Sequence, residues 1–277
     1  MDSQSKIILI AGPTASGKSN FAVRLAKKID GEIINADSMQ VYRQLRILTA
    51  KPNKKEEKKI KHHLYGIINV NKNFSAGQWL KLAIIKIKEI RRRKKIPILV
   101  GGTGLYFQFL INGLVKIPNI PFKIRNKIRL LQKKIGQKKF YKRLLKLDSK
   151  VKKKFDPNDV QRSIRAFEIK THTKVSMYDW FKKTKTNFHE SAFLKFYINF
   201  ERKKLIQRIE QRTTHMIKEG AIQETIRFNR TKIKKDHSAK KVIGIEEITK
   251  YLNNQIKLER AKELIVIKTR QYAKRQA

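Results

Sequence analysis

The segment Gly12–Ser19 constrains this chain most, because it matches the pattern G-x-x-x-x-G-K-[ST] of loops that cradle phosphate groups. An apolar, β-branched run at Ile7–Ile10 precedes it, and apolar residues recur at helical spacing after it. A strand, a glycine turn and a helix would direct several N–H groups and a helix dipole at one anion. The candidate anion-binding residues are Gly12, Pro13, Thr14, Ala15, Ser16, Gly17, Lys18 and Ser19. The segment therefore predicts a site for pyrophosphate or a polyphosphate, with Lys18 adding positive charge and Ser19 a hydroxyl for phosphate-bound Mg²⁺.

Two further apolar runs, Glu32–Asn35 and Ile96–Val100, continue an alternation of strands and helices, with a helix predicted over Gln78–Lys95. This order predicts an α/β fold, in which a parallel sheet of the P-loop NTPase type is flanked by helices. The run at Ile96–Val100 ends in the glycines of Gly101–Thr103, whereas many phosphate-loop hydrolases place an acidic residue there. The glycines argue against a motor or switch ATPase and favour close approach of the backbone to a ligand.

Several polar residues follow the predicted strands. Asp37 lies where the carboxyl ends of parallel strands line a ligand crevice, which makes it a candidate general base. An Asp before a polar loop is as typical of a turn or a helix N-cap. Thr103 is equally open, because it could hydrogen-bond a ligand or cap a helix that begins near Leu105. The adjacent His62 and His63 do not share a helix face, which favours a polar contact in the fold or with a partner over a metal site.

The alternation lapses after residue 115, where helical patterns at 123–135 and 138–147 predict a mainly helical, basic insertion. We assign the insertion to residues 116–196. The catalytic core would then comprise residues 1–115 and 197–277.

The chain returns to this core through a strand predicted at Phe193–Phe200 and a helix predicted at Arg202–Glu219, closed by Gly220. On that helix, Arg208 and Arg212 are four residues apart and share a face. They are candidate phosphate clamps, although most exposed helical arginines have no such role.

The charge of the chain is extreme, since 67 Lys and Arg residues against 22 Asp and Glu residues leave a formal net charge of +45. Such an excess favours a polyanionic partner, nucleic acid first, and a genome-wide drift toward Lys, Ile and Asn is the alternative. The absence of cysteine excludes disulfides, thiolate nucleophiles and cysteine-bound zinc. No apolar run approaches the length of a membrane span and no secretory signal is recognisable, so we expect a cytoplasmic enzyme without membrane contact.

A phosphate loop, one carboxylate base and no Ser-His-Asp or Cys-His set suit transfer from a phosphorylated donor to a nucleophile. Phosphoryl transfer and alkyl transfer with pyrophosphate leaving both remain open. The basic insertion favours an acceptor much larger than a metabolite. Within it, Gln161, Arg162 and Arg165 fall together at helical spacing and form either a solvated face or a phosphate clamp.

A set of short motifs runs along essentially the whole chain. They are Gly12–Ser19, Asn35–Tyr42 (NADSMQVY), Thr49–Pro52, His62–His63, Gly101–Thr103, Asp156–Asp159, Gln161–Arg162, Arg212 with Met216 and Gly220, and Thr269–Gln271 with Lys274–Gln276. In this order they resemble the tRNA dimethylallyltransferase (tRNA isopentenyltransferase) family. The Asn35–Tyr42 block is highly specific.

The resemblance implies transfer of a dimethylallyl group from dimethylallyl diphosphate to the exocyclic amine of the adenine just 3′ of a tRNA anticodon. It also implies Mg²⁺ bound through Ser19, a monomer, and the tRNA anticodon stem-loop as partner. The implied catalytic residues are Asp37 as proton acceptor, Lys18, Ser19 and Arg212 at the diphosphate, with Thr14, and Thr103. The implied tRNA-binding residues are Asp37, Ser38, Met39, Gln40, Thr103, Arg125, Gln161, Arg162, Ser163, Ile164, Arg165, Lys274, Arg275 and Gln276.

Two departures from the family pattern bear on tRNA binding. Gly244–Glu246 reads Gly-Ile-Glu where the family usually has Gly-Tyr and a basic residue, and the family's Thr-Trp segment does not follow Gln276. Three alternatives stay open: a transferase acting on free adenylate, a metabolite kinase, and a nucleic-acid-binding protein with a vestigial phosphate loop. The basic insertion argues against the free-adenylate enzyme, because a mononucleotide needs no such surface.

Overall fold

The computed structural model describes residues 6–233 and 237–277, which form two compact units. The first unit contains the chain up to residue 111 together with residues 187–277, and the second unit contains residues 112–186. The second unit is shorter than the insertion assigned from the sequence. Its exit lies before Phe193, because the strand that begins there pairs in the sheet of the first unit.

A five-stranded parallel sheet forms the centre of the first unit, which confirms the α/β prediction. The strands are β1 (Ile7–Ala11), β2 (Gly31–Asn35), β3 (His62–His63), β4 (Ile96–Gly101) and β5 (Phe193–Tyr197). Their order across the sheet is β3-β2-β4-β1-β5. The apolar side chains of Ile7–Ile10 are at most 5% exposed, as expected for a strand covered on both faces.

Helices flank this sheet and build the second unit. Numbered along the chain they are α1 (Lys18–Lys28), α2 (Lys54–Lys59), α3 (Ala76–Arg92), α4 (Gly104–Asn112), α5 (Phe122–Leu147), α6 (Val160–Thr173), α7 (Met177–Phe181), α8 (Arg202–Lys218), α9 (Ala221–Asn229), α10 (Ile245–Leu252) and α11 (Leu258–Gln276). Helices α5, α6 and α7 lie in the second unit. No helix in the described part of the chain has the length and apolar character that crossing a bilayer requires.

Helix α3 illustrates how local sequence sets these elements. A capping box between Ser75 and Gln78 satisfies free N–H groups at its start. Trp79, Leu80, Ala83, Ile87 and Ile90 recur at helical spacing and are buried, as the sequence predicts.

The second unit contains the two helices that the sequence predicts at 123–135 and 138–147. They form one assigned helix, α5, with a break at Gly136, whose φ of 72° and ψ of 166° are not helical. A cluster that includes Tyr141, Leu144 and Ile169 packs α5 against α6. The insertion is therefore a helical unit with its own hydrophobic core.

The elements that the sequence analysis did not predict include β3 and α9. The strand β3 consists only of His62 and His63, which is too short to show a periodic pattern. Helix α9 begins directly after Gly220, whose φ of 101° ends α8 and starts the next helix. The prediction that Gly220 closes α8 is confirmed.

The close approach of the ends of β4 and β2 requires a glycine at position 101. A methyl group at Gly101 would overlap the backbone carbonyl of Ala36, at the end of β2. We expect Gly101→Ala to lower the free energy of unfolding by about 2 kcal/mol or more, since the two backbones would have to separate. Urea unfolding followed by circular dichroism measures this. Gly104→Ala is the control, because the space around Gly104 is open, and equal stabilities of the two variants would contradict the prediction.

Candidate active site

The phosphate loop follows β1 and leads into α1. The N–H of Ser16 donates to the carbonyl of Pro13 at 3.2 Å, and Ala15 and Gly17 have φ values of 65° and 87°. Residues of positive φ turn successive N–H groups toward one side of a loop. The Ser16 hydroxyl is buried and has no hydrogen-bond partner in the described residues. A loop with an unsatisfied buried hydroxyl and the free N–H groups of a helix start fits a bound anion.

Two cationic side chains, Lys18 and Arg212, lie at this loop, and burial lowers the pKa of both. Lys18 Nζ donates to the Pro13 carbonyl at 3.1 Å, and Arg212 Nη1 donates to Thr14 Oγ1 at 2.7 Å. The pKa of Lys18 is lowered to about 8, chiefly by burial; the Asp37 carboxylate opposes this shift and the Arg212 charge contributes to it. Burial also lowers the pKa of Arg212, and the Asp37 carboxylate again opposes the shift. The structure therefore brings Lys18, Arg212, Thr14 and Asp37 together, as the sequence predicts.

Asp37 is held by the buried side chain of Asn35, at the end of β2. Asn35 Oδ1 accepts the N–H of Asp37 at 2.9 Å, while its Nδ2 donates to the carbonyls of Asp37 at 2.9 Å and Leu64 at 3.1 Å. Asp37 Oδ1 accepts the N–H of Met39 at 2.8 Å. Trp79 Nε1 donates to the Asn35 carbonyl at 2.7 Å. Asn35 therefore positions Asp37. Its role could have been found in the sequence, because Asn35 is a polar residue at the end of an apolar strand.

Thr103 and Gln40 brace the loop that carries Asp37. Thr103 Oγ1 accepts the N–H of Ser38 at 3.0 Å and lies 3.4 Å from Ser38 Oγ. Gln40 Nε2 donates to the carbonyls of Thr49 at 2.8 Å and Ala50 at 3.2 Å. These bonds fix the loop at the carboxyl ends of β2 and β4.

Three tyrosine phenols lie within electrostatic range of the Asp37 carboxylate. Burial raises the pKa values of Tyr65, Tyr106 and Tyr272, and the Asp37 carboxylate raises them further. These phenols therefore keep their protons across the neutral range. Sequence patterns did not single out these three uncharged side chains.

One cavity of about 790 Å³ lies in the first unit, and it is bordered by Thr14, Lys18, Asp37, Gln40, Tyr65, Arg212 and Tyr272. Its polar end includes the phosphate loop with Ser19, Asp37, Arg208 and Arg212. Apolar side chains line another part of its wall: Met39, Leu48, Met216, Val242, Ile243 and Ile265. A cavity with both linings suits a phosphorylated molecule with an apolar group.

Arg208 lies beside the phosphate loop but is exposed. Its guanidinium stacks on the ring of Phe200 at 4.7 Å from the ring centre. A Cβ at Gly17 would come within 3.3 Å of Arg208 Nη1, so the arginine follows the loop closely.

The paired histidines make polar contacts within the fold. His63 Nε2 lies 2.6 Å from Glu32 Oε2, and His62 Nδ1 lies 2.8 Å from the Ile60 carbonyl. In the described residues no group of three or more His, Cys, Asp or Glu side chains could hold a metal ion. A metal at the cavity would thus depend on oxygen ligands such as Ser19 together with a bound phosphate.

The end of α11 separates three residues that the sequence groups together. Lys274 and Arg275 are exposed, and the Arg275 guanidinium lies 6.0 Å from the centre of the Tyr272 ring. Gln276 points inward, where its Oε1 accepts the N–H of Thr14 at 2.8 Å and its Nε2 donates to the Gly102 carbonyl at 3.0 Å.

In the second unit, three arginines surround the buried carboxylate of Glu168. Arg165 Nη1 lies 3.4 Å from Glu168 Oε2, while Arg129 Nε and Arg125 Nε lie 3.6 Å and 3.9 Å from Oε1. The guanidinium side chains are 42–46% exposed, and Glu168 is 3% exposed. The carboxylate holds these cations at the surface, and Arg129 is a member that sequence patterns did not single out.

The run from Gln161 to Arg165 divides between surface and core. Gln161 and Arg162 are exposed, and Arg162 lies 3.4 Å from Asp159. Ser163 is buried and its hydroxyl accepts from Gln137 at 3.0 Å, and Ile164 packs in an apolar cluster. The prediction that this run contacts RNA is therefore corrected at two positions. The side chains of Ser163 and Ile164 are not available to RNA, because the helix turns them inward.

The departure at Gly244–Glu246 has a local structural role. Ile245 is buried in the core, and Glu246 pairs with Lys250 at 2.9 Å and Lys268 at 2.8 Å. Hydrogen bonds to those two lysines lower the pKa of Glu246 to about 2. The acidic residue thus forms ion pairs with one lysine of α10 and one lysine of α11.

The lowered pKa of Lys18 predicts a pH dependence of anion binding. Below about pH 8 the lysine is charged before binding, whereas above it binding must return a proton. We expect affinity for inorganic pyrophosphate to fall as the pH rises above about 8, with proton uptake measurable by titration calorimetry in two buffers. Lys18→Arg stays charged and serves as the control, since pyrophosphate titrates identically in both experiments. Identical pH profiles for the two proteins would contradict the prediction.

Comparison with known proteins places this geometry in a family. Residues 40–277 match the model of the IPP transferase family. The chain is 68% identical over 277 residues to a tRNA dimethylallyltransferase of Pelagibacter ubique (strain HTCC1062), covering all of this chain and 88% of that protein. It is 43% identical over 274 residues to a tRNA dimethylallyltransferase of Rickettsia massiliae (strain Mtu5), covering 99% and 76% of the two chains.

Solved structures agree. A eukaryotic dimethylallyltransferase acting on tRNA has a TM-score of 0.85 and 33% identity, with 98% of this chain and 68% of that chain covered. The tRNA isopentenylpyrophosphate transferase of Bacillus halodurans has a TM-score of 0.68 and 33% identity, with 98% and 85% covered. On the evidence of sequence, fold and site, the chain belongs to the IPP transferase family.

Proposed function

We propose that this protein transfers the dimethylallyl group of dimethylallyl diphosphate to the exocyclic amine of the adenine just 3′ of the anticodon in tRNA. The observation that carries the proposal is one cavity that holds a phosphate loop, two partly buried cations, a positioned carboxylate and an apolar wall. Membership of the family and the names of its relatives support the choice of donor and acceptor. The enzyme is a prenyltransferase.

In the proposed reaction the amine nitrogen attacks the allylic carbon of the donor, and the bond from that carbon to the diphosphate oxygen breaks. The electron pair of this bond leaves with the diphosphate. Lys18, Arg212 and Thr14 at the phosphate loop stabilise the charge that accumulates there. Asp37 takes the proton from the nitrogen, and the hydrogen bonds of Asn35 keep its carboxylate in place.

Magnesium fits this site through its oxygen donors. Mg²⁺ commonly binds substrate phosphates and only one or two protein oxygens, and Ser19 supplies a hydroxyl at the cavity wall. When bound, the ion would neutralise part of the diphosphate charge.

The acceptor adenine must leave the stack of the anticodon loop to reach Asp37, because a stacked base cannot enter a cavity of this kind. We assign the loop Asp37–Gln40 and Thr103 to the extruded base. We assign Arg125, Arg162 and Arg165, with Gln161, to the stem-loop, and Lys274 and Arg275 to its backbone. We further propose that the protein acts as a monomer, and tRNA as substrate supports action in the cytoplasm.

A mass measurement tests the proposed reaction. We expect the protein, with Mg²⁺, dimethylallyl diphosphate and an unmodified anticodon stem-loop, to add one prenyl mass to the RNA. Asp37→Ala should reduce the rate by about 10²-fold or more, because a positioned base contributes at least this much. An RNA with the target adenine replaced is the control. Tight RNA binding without a mass gain, or a gain on free AMP alone, would refute the proposal.

The arginine cluster around Glu168 predicts the salt dependence of RNA binding. Each cation that contacts a phosphate releases counterions, so Arg129→Gln should lower the slope of log affinity against log salt by roughly 0.7–0.9. Filter binding of the stem-loop over a salt series measures this slope. Arg92→Gln removes the same charge from an exposed position of the first unit and serves as the control. Equal slopes for the two variants would remove Arg129 from the RNA-binding surface.

A further inference from the structure

The side chain of Gln276 is placed in the phosphate site, although Lys274 and Arg275 before it are exposed. Its amide oxygen accepts the N–H of Thr14 at 2.8 Å, and its amide nitrogen donates to the Gly102 carbonyl at 3.0 Å. Thr14 belongs to the phosphate loop after β1, and Gly102 follows β4. One side chain from α11 therefore joins the ends of two adjacent strands.

Helical geometry explains why Gln276 points inward while Lys274 is exposed. Gln276 is three residues after Ala273, which is 3% exposed and packs against Leu205 and Ile209 of α8. Residues three apart share a helix face, so packing of α11 on α8 turns the Gln276 side chain toward the loop.

Gly102 is shaped for this contact. A methyl group at Gly102 would overlap the amide nitrogen of Gln276. The glycine thus leaves room for the glutamine amide, and no φ in the left-handed region explains its presence. The pair is complementary in shape as well as in hydrogen bonding.

The contact also bears on which groups meet the substrate. Thr14 is held on two sides, because Gln276 occupies its backbone N–H and Arg212 Nη1 donates to its hydroxyl at 2.7 Å. The start of the loop is thereby fixed next to Gly102, and Thr103 follows with its contacts to Ser38. The contacts of Gln276 and Thr103 therefore connect the proposed diphosphate site to the proposed adenine site.

We propose that Gln276 is a positioning residue of the diphosphate site, which sets the phosphate loop against the end of β4, and that its side chain does not contact tRNA. The proposal rests on the proposed function for its meaning in catalysis. It replaces the expectation from the sequence that Gln276 belongs with Lys274 and Arg275 on the RNA-binding surface.

Binding of inorganic pyrophosphate with Mg²⁺ tests the proposal without requiring prenyl transfer. Gln276→Met keeps the length of the side chain and removes both hydrogen bonds. We expect its affinity for pyrophosphate, measured by calorimetry, to fall about tenfold, because two hydrogen bonds that organise the loop are lost. Lys274→Met is the matched control and should keep the pyrophosphate affinity of the parent protein.

Steady-state kinetics separates the two roles. Gln276→Met should raise the KM for dimethylallyl diphosphate and leave the KM for the stem-loop within about twofold, whereas Lys274→Met should raise only the KM for the RNA. Unchanged pyrophosphate binding together with a raised RNA KM in Gln276→Met would overturn the proposal. If the parent protein transfers no prenyl group, the proposed function fails, and the pyrophosphate titration still decides the role of Gln276.

A double-mutant cycle guards against a general loss of folding. Gly102→Ala should reduce pyrophosphate affinity about as much as Gln276→Met, because it displaces the same amide. In a Gln276→Ala background, where the displaced side chain is absent, the Gly102→Ala change should cost no further affinity. Additive losses from the two changes would show that Gly102 and Gln276 act separately, and would overturn the proposal.

Discussion

The desolvation of positive charge at the phosphate loop is the constraint on which the site depends. Burial disfavours the charged form of Lys18, whose pKa is lowered to about 8, and the nearby charge of Arg212 adds to this effect. Asp37 is the negative charge that opposes the shift on both residues. A bound diphosphate would supply further negative charge here, so the site is electrostatically suited to an anion.

The same constraint explains why the carboxylate is so firmly held. A base that also faces two cations must keep its position, since a collapse onto them would block the anion site. Asn35 bonds both the N–H and the carbonyl of Asp37, and Trp79 in turn anchors the Asn35 carbonyl. Thr103 fixes the next residue, Ser38. The network is made of short-range hydrogen bonds from strand ends and α3, which are rigid elements.

Charge in the second unit is organised in a different way. Glu168 is nearly inaccessible, yet three arginines share it and remain about half exposed. One buried anion among three cations leaves a formal surplus of positive charge, which a phosphate backbone would match. In the first unit, Glu246 is the acidic residue that departs from the family pattern. It forms local ion pairs with Lys250 and Lys268. Basic composition alone therefore does not tell which lysines and arginines are available to RNA.

The sequence by itself determined the fold class, the phosphate loop and the family, because strand and helix periodicity and the motifs around Gly12–Ser19 and Asp37 are local in the chain. It also located the break in α5 and the glycine end of α8. Tertiary structure decided what each polar side chain contacts: Asn35 holds Asp37, Arg129 joins the Glu168 cluster, and Gln276 enters the phosphate site. These contacts join residues far apart in the chain, Thr14 and Gln276 among them, and no local pattern encodes such a distance. Packing of α11 on α8, rather than the sequence around residue 276, sets the direction of that side chain.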